Sequence, residues 1–105
     1  MMLKKYKAAI TEEAKRDFQD LLLWYSEKDP SLPNRLKIDF KQIITSITSY
    51  PFAHTIRYDE IRIALLKIFS VNVHYYIDAE RALVIVIGIY HEASNPEKWI
   101  ERLND

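Results

Sequence analysis

Hydrophobic and polar residues alternate near the start of the chain. Tyr6, Ala8 and Ile10 fall on one face of an extended segment, Lys5 and Lys7 on the other, and the pattern predicts a strand over about Leu3 to Ile10 with one wet face. The period then changes. Thr11 carries a capping hydroxyl, and Glu12 and Glu13 follow at the positive end of a helix dipole. Ala14, Phe18, Leu21, Leu22 and Tyr25 recur at helical spacing, which predicts a helix from about Glu12 to Lys28, ended by Asp29-Pro30. Ser31 or Leu32 precedes Pro33, a residue suited to the first helical position. The stripe Leu36, Phe40, Ile43, Ile44 and Ile47 predicts a second helix running to near Tyr50, before Pro51. The short connection predicts an antiparallel helical hairpin.

After Pro51, β-branched and aromatic residues dominate. They predict one strand from about Arg57 or Ile61 to Phe69, a second from Val71 to Ile77 and a third from Ala82 to His91. Along the second, Val71, Val73, Tyr75 and Ile77 share a face, while Asn72, His74 and Tyr76 share the other, read as the wetter one. Asp78 to Arg81 reads as a hairpin turn. The near-continuous run Leu83 to Ile87 suggests a central strand buried on both faces. Asn95-Pro96 predicts a short terminal helix, with Trp99, Ile100 and Leu103 as its docking side. The order is β-α-α-β-β-β-α. It defines an α+β domain over residues 1–105, a helical hairpin packed on a mostly antiparallel sheet of about four strands.

Composition narrows the function. Fifteen basic and fifteen acidic residues cancel, which weakens any role needing a general polyanion-binding surface. There is no cysteine, so disulfide scaffolds and cysteine-ligated zinc are excluded. His54, His74 and His91 lack metal-ligand spacing, and we expect no metal and no cofactor. The one glycine, Gly88, stands inside an apolar run, so the phosphate-cradling glycine loops are absent. The apolar run Ala82 to Tyr90 is too short to span a bilayer. The opening MMLKKYKAAI lacks an apolar signal core, so no signal peptide is expected.

Two stretches resemble a known family. IRIALLKIFSVNVHYYID, from Ile61 to Asp78, is similar to the middle of RelE/ParE-superfamily toxins: an arginine-bearing strand, a lysine-phenylalanine step, then a tyrosine-rich strand ending in Asp. HEASNPEKW, from His91 to Trp99, resembles the family's closing motif of His, two variable residues, Arg, Asn or Asp, and Pro-Glu-Lys-Trp. The strand and helical hairpin at the start match in order and length. The resemblance implies a small cytoplasmic toxin of a bacterial type II toxin–antitoxin system, of the plasmid-stabilisation kind, held inactive by a cognate antitoxin. RelE-like members cut mRNA on the ribosome without a metal; ParE-like members poison DNA gyrase. The chain departs from the motif at Ser94, where the family usually has Arg. In the RelE-like group a basic residue near this point stabilises the phosphate being cleaved.

Metal-free RNA cleavage requires deprotonation of a 2′-oxygen, stabilisation of the phosphorane charge and protonation of the leaving oxygen. Arginine suits the second task because its planar fork stays charged and grips phosphate bidentately. If the protein is a nuclease, the candidates are Arg57, Arg62, Lys67, Tyr76 and His91, with His74 on the same strand face as Tyr76. His91, ending the neighbouring strand, is placed to approach either of them. Each also has a plain structural reading, as a solvated strand residue or a hydrogen-bonded strand end. Residues 1–50 carry nine basic and seven acidic side chains, residues 51–105 six and eight. The half that would hold a nuclease groove is therefore the acidic one.

For partner binding, the consecutive residues Leu22, Leu23, Trp24 and Tyr25 exceed what one helical stripe can bury, so some should remain exposed as an interface. The candidate contacts for antitoxin or target are Leu22, Trp24, Tyr25, His74, Tyr90, Ser94 and Trp99. The preferred reading is a ParE-like toxin acting on DNA gyrase or another protein, with no enzymatic activity, no membrane partner and no sequence-specific DNA binding of its own. The alternatives are a RelE-like ribosome-dependent mRNA endonuclease, or an inactive relative that still binds an antitoxin.

Overall fold

The computed structural model describes residues 5–92. The elements are β1 (Lys7–Ile10), α1 (Glu12–Lys28), α2 (Leu32–Ser49), β2 (Ile56–Tyr58), β3 (Ile61–Leu65), β4 (Val71–Asp78) and β5 (Leu83–His91). The predicted C-terminal helix, with Ser94 and Trp99, lies outside the described residues.

Helix α1 begins and ends where its caps dictate. The Thr11 hydroxyl accepts a hydrogen bond from the Ala14 N–H at 3.1 Å. Asp29 ends the helix in extended backbone and turns the chain into α2: its carboxylate accepts the Ser31 N–H at 2.8 Å and the Ser31 hydroxyl at 2.7 Å. Those two bonds hold the exposed Asp29 carboxyl below its ordinary range. The two helices cover one face of the sheet. Ala14, Tyr25, Leu36 and Ile47 pack there against Val71, Val73, Tyr75, Val84, Val86 and Ile89.

The sheet has five strands in the order β1-β5-β4-β3-β2. This corrects the expected four. Of the two starts expected for the first strand after Pro51, Ile61 is where β3 begins, and the residues around Arg57 form a separate strand, β2, before a turn at Asp59 and Glu60, whose φ values are 37° and 69°. Two successive residues at positive φ match the twist of a tight hairpin, and Asn or Gly normally marks them. Asp-Glu does not carry that mark, so the sequence does not advertise a hairpin at this point. The sheet is also mixed: β2 to β5 run antiparallel, but β1 lies parallel to β5, pairing Lys7 with Leu83 through Ile10 with Val86. Strand β5 is thus central, as its apolar run suggested, with Val84 and Val86 fully buried. Ile85 and Ile87, on alternate positions, are half-buried rather than buried.

Two helical carboxylates reach the sheet. Asp39 of α2 is 1% exposed and accepts the backbone N–H groups of Lys67, Ile68 and Phe69 at 3.3, 2.9 and 3.0 Å. It therefore caps the loop between β3 and β4. Asp17 of α1 accepts the Ile89 N–H at 3.0 Å, just beyond the register shift where His74 faces Gly88 and Tyr75 faces Val86. A bulge withdraws backbone groups from the ladder, and the carboxylate receives one of the amides beside it.

Candidate functional site

The face of the sheet away from the helices carries Tyr58, Asn72, His74, Tyr76 and Tyr90. Register places them together: Asn72 faces Tyr90, and His74 faces Gly88 on one side and Ile63 on the other. This face is not the wet one expected. His74 is fully buried and Asn72 is 9% exposed; Tyr58 is partly exposed, and Tyr76, at 37%, opens furthest to solvent.

The burial of His74 follows from its neighbours. The Tyr58 hydroxyl and His74 Nδ1 share a hydrogen bond of 2.8 Å. The Tyr90 ring meets the imidazole edge-on, with centroids 4.8 Å apart. Gly88, opposite His74, has no side chain, and the Tyr90 ring fills the vacant space. The chain's one glycine therefore marks a seat for an aromatic ring rather than a ligand loop. Alternation along β4 gave the face of His74 correctly; that rings from β2 and β5 would roof it was not legible, because it depends on which strands become neighbours.

The remaining candidates are dispersed. Arg57 is exposed on the edge strand β2. Arg62 pairs with Tyr75 and not with His74, so it belongs to the helix side of the sheet. Its guanidinium donates to the carbonyls of His54 and of Phe52, and lies 5.3 Å from the centroid of the Phe52 ring. Tyr75 strengthens the same corner by donating its hydroxyl to Pro51 O at 2.8 Å. Burial pushes the Tyr75 hydroxyl above its ordinary pKa, against a smaller opposing pull from the Arg62 charge. Arg62 and Tyr76 do meet at the mouth of one small pocket, with Phe52, Ile56 and Glu60. Lys67 is exposed in the loop after β3, at the opposite end of that strand. His91 pairs with Val71, three positions from His74 along β4, and turns to the helix side. There its ring lies 5.6 Å from Trp24 and 6.4 Å from Tyr25.

On α1, Leu22 packs on the core and Tyr25 is buried, with its hydroxyl raised above its ordinary pKa by that burial. Leu23 and Trp24 stay 63% and 45% exposed, so the run of apolar residues does leave an open patch. Lys28 lies over the Trp24 ring at 4.8 Å. Among the described residues no group of three or more metal-ligating side chains converges, and no helix is long and apolar enough to cross a membrane.

No protein-family model and no curated protein sequence matches the chain. Solved structures do. The chromosomal ParDE toxin–antitoxin system of P. aeruginosa aligns with a TM-score of 0.70 at 11% identity, covering 83% of this chain and 96% of that one. The free E. coli toxin RelE, as an arginine-to-alanine double mutant, aligns at 0.67 and 16% identity over 96% and 97%. The intact E. coli RelBE toxin–antitoxin complex gives 0.61 and 17% over 86% and 99%. The chain therefore has the fold of the RelE/ParE toxins.

Proposed function

We propose that this protein is the toxin of a type II toxin–antitoxin pair, that it acts in the ParE manner by binding a protein target such as DNA gyrase, and that a cognate antitoxin neutralises it. The ParDE and RelBE structures that share its fold are toxin–antitoxin assemblies. One observation carries the choice of a protein target. The cationic and titratable candidates for RNA cleavage lie on both faces and at opposite ends of the sheet, and Arg62 donates from Nη1 to the carbonyls of His54 and Phe52. General acid–base chemistry needs its groups within hydrogen-bond reach of one reacting centre. Exposed apolar side chains, by contrast, suit protein contacts. Leu23 and Trp24 on α1 supply one such patch.

The RelE-like reading keeps one specific support: Arg62 and Tyr76 share a pocket. Induced expression followed by parallel assays separates the two. Our reading expects growth arrest, loss of gyrase supercoiling by purified toxin and intact translated mRNA. Arrest with ribosome-dependent cuts that vanish in Arg62→Ala would establish the nuclease instead.

A further inference from the structure

Helices α1 and α2 do not close over all of the core between them. Ala14 and Leu36 are fully covered, but Ile10, Phe18, Leu22 and Phe40, which pack on the same core, are only half-buried. The Phe18 and Phe40 rings meet with centroids 4.5 Å apart and brace the two helices against each other. A cleft of about 320 Å³ lies between the helices and the sheet there, lined by these four side chains and by Ile89 of β5. Lys15, Phe18, Gln19 and Leu22 recur at helical spacing, so one face of α1 supplies both the apolar wall and a polar lip.

The rim is cationic. Lys15 and Gln19 of α1 and Lys37 of α2 complete the lining, and no acidic side chain joins them. Lysine stems lie along apolar surface with their ammonium groups in water. Lys37 is exposed and forms no ion pair among the described residues. Lys15 lies 3.3 Å from Glu12, but both are exposed, and a pair of that kind contributes little, so it yields readily to another anion. Asp17, the acid of α1 that reaches the sheet, accepts the Ile89 N–H and is not part of the lining.

We infer that this cleft binds a small amphiphilic anion, a free alkyl carboxylate whose chain lies on Ile10, Phe18, Leu22, Phe40 and Ile89 and whose head group is held by Lys15 and Lys37. Small-ligand sites are concave and mostly apolar, with a few placed polar groups. The volume sets the length: a dry cavity of about 150 Å³ accepts one benzene ring, so this cleft takes a chain of roughly eight to ten carbons. The rim sets the sign of the head group, since a cationic amphiphile meets two ammonium groups and no carboxylate. A second copy of this chain would bring the same two lysines to the contact. The inference is independent of the toxin reading.

The test titrates the full-length protein with sodium decanoate below its micellar range, followed by methyl and amide NMR. Saturable shifts should centre on Ile10, Phe18, Leu22 and Ile89. Each methylene added between hexanoate and decanoate should tighten binding by up to about fourfold. Decanol should bind about two- to fivefold more weakly than decanoate, and decyltrimethylammonium more weakly still. The Lys15→Glu, Lys37→Glu double variant changes only exposed side chains. It should lose that preference for the carboxylate while decanol binding holds, which also shows that the cleft is intact. Five results would overturn the proposal: no saturable response to decanoate; equal binding of the anionic and cationic amphiphiles; an unchanged decanoate affinity in the double variant; shifts confined to Leu23 and Trp24; or the same shifts produced by raising the protein concentration alone. Binding to phosphatidylglycerol vesicles without a response to free decanoate would also overturn it, by assigning the lysines to a membrane surface.

Discussion

The ring of Tyr90 occupies the space that a side chain on Gly88 would need: a β-carbon there would lie 2.5 Å from the ring carbon Cε2 and 2.6 Å from the hydroxyl. That contact ties a backbone position on β5 to the roof over His74. Gly88→Ala should displace the ring and cost about 1–3 kcal/mol, the usual range for forced overpacking. Denaturant unfolding measures it. In the double variant with Tyr90→Ala, the alanine at 88 should cost far less than it does alone. Additive costs would show that the ring is not what position 88 excludes.

Asp39 offers a second test, on the loop between β3 and β4. Its carboxylate serves three backbone N–H groups at once, and removing it strands the buried donor of Phe69 and the part-buried donors of Lys67 and Ile68. An unsatisfied buried group costs about 1–3 kcal/mol, so Asp39→Ala should destabilise by about that much through the Phe69 N–H, with a smaller cost from the two part-buried amides. Asp39→Asn keeps one acceptor and should cost less. Amide exchange at Ile68 and Phe69 should accelerate in both variants while the amides of β5 hold.

The corner below Pro51 predicts a response to alkaline pH. Burial raises the pKa of the Tyr75 hydroxyl above its ordinary value near 10. The folded state therefore keeps its proton where the unfolded state releases it. The sign follows: this contribution is fully present below about pH 10 and is lost as pH rises through the higher folded value. Tyr75→Phe removes the bond to Pro51 O and should cost about 1 kcal/mol at neutral pH. It should also flatten the fall in stability above about pH 10. An unchanged alkaline limb would mean that Tyr75 titrates alike in both states.

Arg62 separates a clamp from a catalyst. It pins the chain between α2 and β2 through the carbonyls of His54 and Phe52. Arg62→Ala should lower the melting temperature by several degrees, about 1–2 kcal/mol in a domain this small. Amides near His54 should exchange faster. A variant that keeps full stability yet loses toxicity would assign the guanidinium a direct part in the activity.

Much of the frame is legible in the sequence. Helix α1 runs from Glu12 to Lys28 as Thr11 and Asp29-Pro30 imply, because caps and breakers are local chemistry. The faces of β4 are legible too, since alternation is a property of one strand. What escapes depends on distant pairing or on unusual residues in familiar geometry. Asp59 and Glu60 adopt positive φ without the glycine or asparagine that advertises such a turn. His74 looks wet in the sequence because nothing local to β4 announces Tyr58 and Tyr90 above it. His91 looks in the sequence like a neighbour of His74 or Tyr76, but parity in the sheet sets it, like Arg62, on the helix side. Asp39 and Asp17 do not stand out, since a carboxylate that caps a loop or a bulge amide from another element leaves no spacing signature.

Primer extension on translated mRNA, from cells arrested by induced expression of the full chain, tests the central claim most directly. A toxin that acts by binding a protein leaves those messages intact while growth stops. Cuts positioned at the ribosomal A site, present with the unmodified protein and absent in Arg62→Ala and Tyr76→Phe, would contradict it.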